Sequence, residues 1–271
     1  MEKIRRTERL GAMTRLLTAV PNRVTPLSTF CELFGAAKST VSEDIDLIKQ
    51  SLERYGQGEL ETIAGAAGGV RYRATISKER AASELLKLAA RLGSPTRVLS
   101  GGFLYTADVT AEADTAELMG RILAQCFYDT RPNLVLTMET KGIPIAFMTA
   151  KMLDVPLVIA RRDSRAYEGP AVKIDYASGT GAFSTMALAR RAVQAGQRAL
   201  IIDDFMKGGG TLRGMMDMMR EFDAEVVGAG VMIKAEQPMR KGIDGVVSLL
   251  TLEQVDPSAG NVKIEPSERF R

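Results

Sequence analysis

The chain has 271 residues, 45% of them hydrophobic and 25% charged, enough apolar material for a substantial core in one large or two smaller domains, and no apolar run approaches the roughly 18 to 20 residues that span a bilayer. With no histidine, the chain excludes Ser-His-Asp and Cys-His nucleophile activation, imidazole metal ligation and the ordinary pH switch, leaving carboxylates, Lys, Arg, hydroxyls and backbone for any chemistry. Cys31 and Cys126 stand singly and MEKIRRTERL has no apolar signal core behind it, so a soluble cytoplasmic protein with reduced thiols is expected; its net charge of +3 lies wholly in residues 1 to 80.

A surplus of three charges is common on a solvated face, so the pattern must decide what the basic segment does. Ile4 to Ala19 reads as a helix with Leu10, Met13 and Leu17 on one face, and Arg5 and Arg6 among its cations. After Pro21-Asn22, Thr25 offers an N-cap and Pro26 a first helical position for a short helix bearing Leu27, Phe30, Leu33 and Phe34, stopped by Gly35. Lys38-Ser39-Thr40 opens a third helix, in which Thr40-x-x-Glu43 suggests a capping box and Val41, Ile45, Ile48 and Leu52 line one face. Short helix, tight turn and a helix with a polar start presenting Lys38, Ser39, Thr40 and Ser42 is the outline of a helix-turn-helix. Glu59–Ala64 and Val70–Thr75 follow as a glycine-linked hairpin whose alternation sends Arg71 and Arg73 to one face. The ensemble predicts a winged helix for DNA, with a protein-interaction module as the competing reading.

The first domain is placed over residues 1–74 and the second over 75–271, the helix Ser83–Leu92 serving as connector or as the opening of the second. From Val98 onward strands and helices alternate. Strands are expected at Leu134–Met138, Val155–Ala160, Ala199–Ile202, Val226–Ile233 and Val246–Leu250, with helices at Pro144–Leu153, Thr185–Ala195 and Thr211–Phe222. This succession predicts an α/β domain built on a parallel sheet covered on both faces, with a ligand site beyond the carboxyl ends of the strands. The methionines of the last helix, Met215, Met216, Met218 and Met219, read as core or dimer surface.

The stretch Ala199-Leu-Ile-Ile-Asp-Asp-Phe-Met-Lys-Gly-Gly-Gly-Thr211 carries the chemistry. A buried strand ends in Asp203 and Asp204, and three glycines deliver the chain into a helix N-terminus, where backbone N–H groups and the helix dipole can close around a phosphate. Two carboxylates beside a phosphate repel unless they meet hydroxyls or a cation, so a sugar diol with Mg²⁺ makes sense of the pair. A P-loop is excluded because Lys207 precedes the glycines, and Gly228-Ala229-Gly230 lacks the following helix of a dinucleotide fingerprint.

This segment resembles the 5-phosphoribosyl 1-pyrophosphate (PRPP) motif of type I phosphoribosyltransferases, and Met138 to Pro144 resembles that family's pyrophosphate loop. Together with AKSTVSEDI in the third helix and the wing segment Ala64 to Gly69, nearly the whole chain resembles the purine operon repressors of Gram-positive bacteria. The resemblance implies a homodimeric regulator that binds operator DNA upstream of purine genes, is released by PRPP and needs no resident cofactor. It assigns the ribose hydroxyls to Asp203 and Asp204, and the 5′-phosphate to Met206, Lys207, Gly208, Gly209, Gly210 and Thr211. Thr140, Lys141 and Gly142 are assigned to the pyrophosphate. It also implies that Phe103, Tyr105 and Arg162 wall the pocket and that Ser178 belongs to the family's flexible stretch, around Tyr176 to Gly179. It further implies DNA contacts by Arg5, Arg6, Lys38, Ser39, Thr40, Ser42, Arg71 and Arg73, with Mg²⁺ as companion of the effector and ppGpp as a candidate for the same pocket. The competing reading is an active purine phosphoribosyltransferase with a fused regulatory domain. Against it stands Lys207, where some purine salvage enzymes carry a loop Asp. An RNA-binding attenuation regulator has no need of the winged helix.

Overall fold

The computed structural model describes residues 4–65, 68–99, 103–164, 169–177, 183–237, 243–256 and 261–271. The chain divides into two compact units, the first running to Ser77 and taking in Lys151–Asp154, the second formed by Lys78–Ala150 and Val155–Arg271.

The first unit begins with α1 (Arg6–Ala19), β1 (Val24–Thr25), α2 (Leu27–Phe34), α3 (Lys38–Arg54), β2 (Glu59–Ile63) and β3 (Gly69–Arg73). Met13 and Leu17 of α1, Phe30 of α2, and Val41, Ile45, Ile48 and Leu52 of α3 are buried together, as their spacing predicts. Gly35 takes a left-handed conformation (φ 59°) that ends α2 and turns the chain into α3. Two capping expectations fail. Pro26, not Thr25, is the N-cap of α2, because Thr25 is already engaged in β1, paired with Val70 of β3. Thr40 lies inside α3, whose N-cap is Ala37, so it forms no capping box; the helix starts one turn earlier than that motif requires. The wing is a three-stranded sheet in the order β1-β3-β2, its third strand supplied by a two-residue segment too short to signal itself.

The second unit opens with α4 (Lys78–Leu92), then the pair β4 (Val98–Leu99) and β5 (Phe103–Leu104), α5 (Ala107–Ala111) and α6 (Ala113–Phe127). The alternating part follows as β6 (Leu134–Met138), α7 (Ile143–Leu153), β7 (Leu157–Ala160), β8 (Ala171–Ala177), β9 (Phe183–Ala189), β10 (Arg198–Met206), α8 (Gly210–Glu221), β11 (Glu225–Ala235), β12 (Val247–Asp256) and β13 (Asn261–Pro266). The main sheet has the order β13-β12-β11-β10-β6-β7. It is parallel except at β13, which pairs antiparallel with β12 and makes the sheet mixed.

The helix expected at Thr185–Ala195 is instead strand β9, paired antiparallel with β8. Met186 and Leu188 enter the core on one face while Thr185 Oγ1 donates to Asp175 Oδ1 at 2.6 Å on the other, so cross-strand pairing decides a short apolar run whose periodicity alone is ambiguous. Within the sheet, Ala229 and Val231 face α8 and its buried Met215, Met218 and Met219. A Cβ on Gly228 would press on Phe127 at 2.6 Å and one on Gly230 on Leu123 at 2.9 Å, so these glycines let α6 approach the opposite face. β6 leads outward to β7 and β10 leads the other way to β11, and their carboxyl ends therefore lie at the topological switch point of the sheet, where a crevice opens.

Candidate functional site

The crevice at that switch point is a cleft of about 900 Å³ in the second unit. Its floor is the turn from β10 into α8. Met206, Lys207, Gly208, Gly209, Gly210 and Thr211 all border it. Gly209 is the N-cap of α8 at φ 73°, a left-handed conformation that a Cβ would strain, and it aims the unsatisfied amides of the first helical turn at the cleft. Met206 is 1% exposed as a residue, and its side chain packs in the core. Lys207 is exposed, and Arg213 Nη2 donates to the Gly208 carbonyl at 3.0 Å, tying the loop to its own helix.

The two acids at the end of β10 differ in station. Asp204 borders the cleft, whereas Asp203 lies behind it, buried. Asp203 Oδ1 accepts the Asp204 N–H at 2.9 Å, and a Cβ placed on Gly142 would come within 2.7 Å of that same oxygen and of Thr137 Oγ1. Burial pushes the Asp203 carboxyl well above the ordinary range, with the neighbouring Asp204 charge adding to it. Burial also raises Asp204, but a hydrogen bond with Asp203 and the positive charge of Lys141 pull against that rise. Of the pair, Asp204 alone faces the cleft, with the more strongly raised Asp203 bonded beneath it.

Lys141 and Arg162 border the cleft from the loops after β6 and β7, and Phe103 does so from β5. Tyr105, Thr140 and Gly142 do not line it. Tyr105 is held at the mouth of the β4–β5 pair by its N–H to the Arg97 carbonyl at 2.8 Å. Thr140 is exposed on the loop, and Gly142 is packed against Asp203. Ser178 lies outside the described residues. Leu252, Val255 and Gln237 add to the wall, and sequence reasoning missed them, because β12 and the segment after β11 reach the cleft only through the strand order.

In the first unit Lys38, Ser39 and Ser42 are exposed at the start of α3, and Thr40 is half-buried. Arg71 and Arg73 share one face of the wing, as the alternation predicts, but both are engaged by Glu61, at 2.8 and 3.3 Å. That hydrogen-bonded pairing, led by Arg71, lowers the Glu61 carboxyl. Arg5 is exposed ahead of α1. Arg6 turns inward to Asp44, a fully buried acid on α3 that also binds Arg9 at 2.9 Å.

Residues 5–74 match the family description "Bacterial purine repressor, N-terminal" and residues 106–264 match "Phosphoribosyl transferase domain". The chain is 39% identical over 270 residues to the purine biosynthesis transcriptional repressor of Bacillus subtilis, covering 99% of this chain and 95% of that one. The chain belongs to the family of bacterial purine biosynthesis regulators. It is also 35% identical over 268 residues to the purine biosynthesis transcriptional activator of Lactococcus lactis, covering 98% of this chain and 99% of the other. The family thus includes proteins named for opposite effects on transcription. Adenine phosphoribosyltransferase from Rhodothermus marinus superposes with a TM-score of 0.53 at 22% identity, covering 63% of this chain and 99% of that one, which shows the fold of the second unit. Among the described residues no helix is long and apolar enough to cross a membrane.

Proposed function

We propose that the chain, as a homodimer, represses purine synthesis genes by holding operator DNA with its first unit and releases that DNA when PRPP fills the cleft of its second. The observation that carries this reading is the arrangement of Lys141, Arg162 and Lys207 around Asp204 and the Gly209 turn. Three cations and a helix N-terminus suit a ligand with two separated phosphate groups, and a carboxylate between them suits the hydroxyls of a ribose. The 5′-phosphate takes the turn from Lys207 to Thr211, the ribose diol meets Asp204, and the pyrophosphate lies against Lys141 and Arg162. Asp204 would be the residue to face a Mg²⁺ carried by the effector, and the ion would offset the repulsion between that carboxylate and the phosphates. ppGpp, a ribose carrying two pyrophosphates, competes for the same cations.

Transferase turnover is not expected of this cleft. Lys207 stands where a loop carboxylate would handle the proton of a base, and no histidine is available to replace it. Purified protein given PRPP, Mg²⁺ and each common nucleobase is expected to release no pyrophosphate above background. Turnover abolished by Asp204→Asn would instead establish the enzyme reading. For the DNA half, Lys38 and Ser42 lead a helix whose N-terminal end would enter the major groove, with the wing and Arg5 on the backbone. A gel-shift comparison of duplex DNA with RNA of the same sequence tests it, and preference for RNA would contradict it.

A further inference from the structure

Arg162 borders the cleft, yet it stands on an exposed turn just beyond β7 and needs something to fix its direction. The first residue of the loop after β6 supplies it. Glu139 Oε1 accepts the Arg162 backbone N–H at 2.7 Å, and its Oε2 lies 3.5 Å from Arg161 Nη1. The Glu139 N–H itself donates to the Ala160 carbonyl at 2.9 Å, so backbone and side chain together bind the end of β6 to the end of β7. Arg161 is in turn bridged to Ala187 of β9 by two backbone hydrogen bonds, at 2.9 and 2.7 Å. One carboxylate thus joins the loop bearing Lys141 to the turn bearing Arg162, and does so on a residue whose backbone is already anchored to β9.

We propose that Glu139 is a positioning residue for the anion cleft: it contacts no phosphate itself, and it holds Arg162 at the place where the pyrophosphate group of the ligand is received. The proposal rests on the pocket reading above. Glu139 is an acid beside a site for polyanions, where its charge alone would repel the ligand. Its retention of two arginine partners turns that charge toward the turn and away from the cleft, and a charge-assisted bond to a backbone N–H is among the stronger fixings available.

The test uses the full chain and PRPP with Mg²⁺ in titration calorimetry, on wild type, Glu139→Ala, Glu139→Gln, Arg162→Ala and the Glu139→Ala/Arg162→Ala double variant. Thermal melts confirm that each variant is folded. Arg162→Ala is expected to weaken binding roughly fivefold to tenfold, and Glu139→Ala by a similar factor. The double variant should be no weaker than the weaker single, because residues acting through one contact are not additive. Glu139→Gln keeps an acceptor for the Arg162 N–H and should recover most of the loss. Amide exchange at Arg162 in ligand-free protein should accelerate in Glu139→Ala and not in Glu139→Gln, a readout that a general packing role would not confine to this turn. Losses that multiply in the double variant, or wild-type affinity in Glu139→Ala while Arg162→Ala is impaired, would overturn the proposal and leave the pocket reading intact. Wild-type protein that binds neither PRPP nor inorganic pyrophosphate would remove both.

Discussion

Asp203 and Asp204 are adjacent in sequence and opposite in circumstance, and the contrast yields two tests. The buried Asp203 carboxyl has its pKa raised by desolvation, so the folded chain holds that proton more tightly than the unfolded chain, whose carboxyl titrates near the usual value of about 4. Native stability is therefore lost as pH rises from about 4 through the folded value. Asn at 203 keeps an oxygen for the Asp204 N–H and carries no charge at any pH. Asp203→Asn is expected to melt above wild type at pH 8, with the gap closing toward pH 4; a variant that melts lower at every pH would show that the carboxylate is stabilised where it lies. Gly142 is the second test. Its missing Cβ is what allows Asp203 to sit beneath the loop, so Gly142→Ala should cost about 1 to 3 kcal/mol of stability in denaturant melts and weaken PRPP binding with it. The cleft floor, from Asp204 to Thr211, was legible in the sequence because glycines, acids and a following helix fall within nine residues. The wall from Leu252 and Val255 was not, since no local pattern marks which strand ends will meet.

At the scale of elements, α3 serves two tasks with two ends. Its start presents Lys38, Ser39 and Ser42, while its middle is pinned to α1 through Asp44, which has no exposed surface and binds Arg6 and Arg9. Lys38→Ala should weaken operator binding and lower the dependence of log K on log salt by roughly 1, as expected for one lost phosphate contact; an unchanged slope would place Lys38 off the DNA. Asp44→Ala leaves two arginines without their buried partner and is expected to destabilise the first unit by about 3 kcal/mol, read as an early transition in chemical denaturation. The apolar stripe of α3 was readable from its spacing, whereas nothing in the sequence marked Asp44, because only the packing of α1 brings its cations to it. β9 was misread for a related reason. Seven residues of mixed polarity fit either period, and only the pairing with β8, the strand just before it, settles the matter.

For the whole molecule, the two units are distinct folds joined in one chain, and a regulator needs each to bias the other. Linkage requires that an effector favouring the DNA-free form lower DNA affinity by the same factor by which DNA lowers effector affinity, typically about 1 to 3 kcal/mol, or roughly 5- to 150-fold. The division into a winged helix and an α/β domain was readable from the change in hydrophobic period near residue 98. The antiparallel β13 at the sheet edge was not, because an edge strand follows from closure of the sheet rather than from its own residues. The coupling is tested most directly by titrating PRPP with Mg²⁺ into a fluorescent complex of the full chain with duplex from upstream of purine synthesis genes, in parallel for wild type and Asp204→Ala. Wild type is expected to leave the duplex as PRPP saturates, whereas Asp204→Ala should bind the duplex equally well yet stay on it at the same PRPP concentration. Release of the variant at the wild-type PRPP concentration, or wild-type protein that holds the duplex at saturating PRPP, would contradict the coupling.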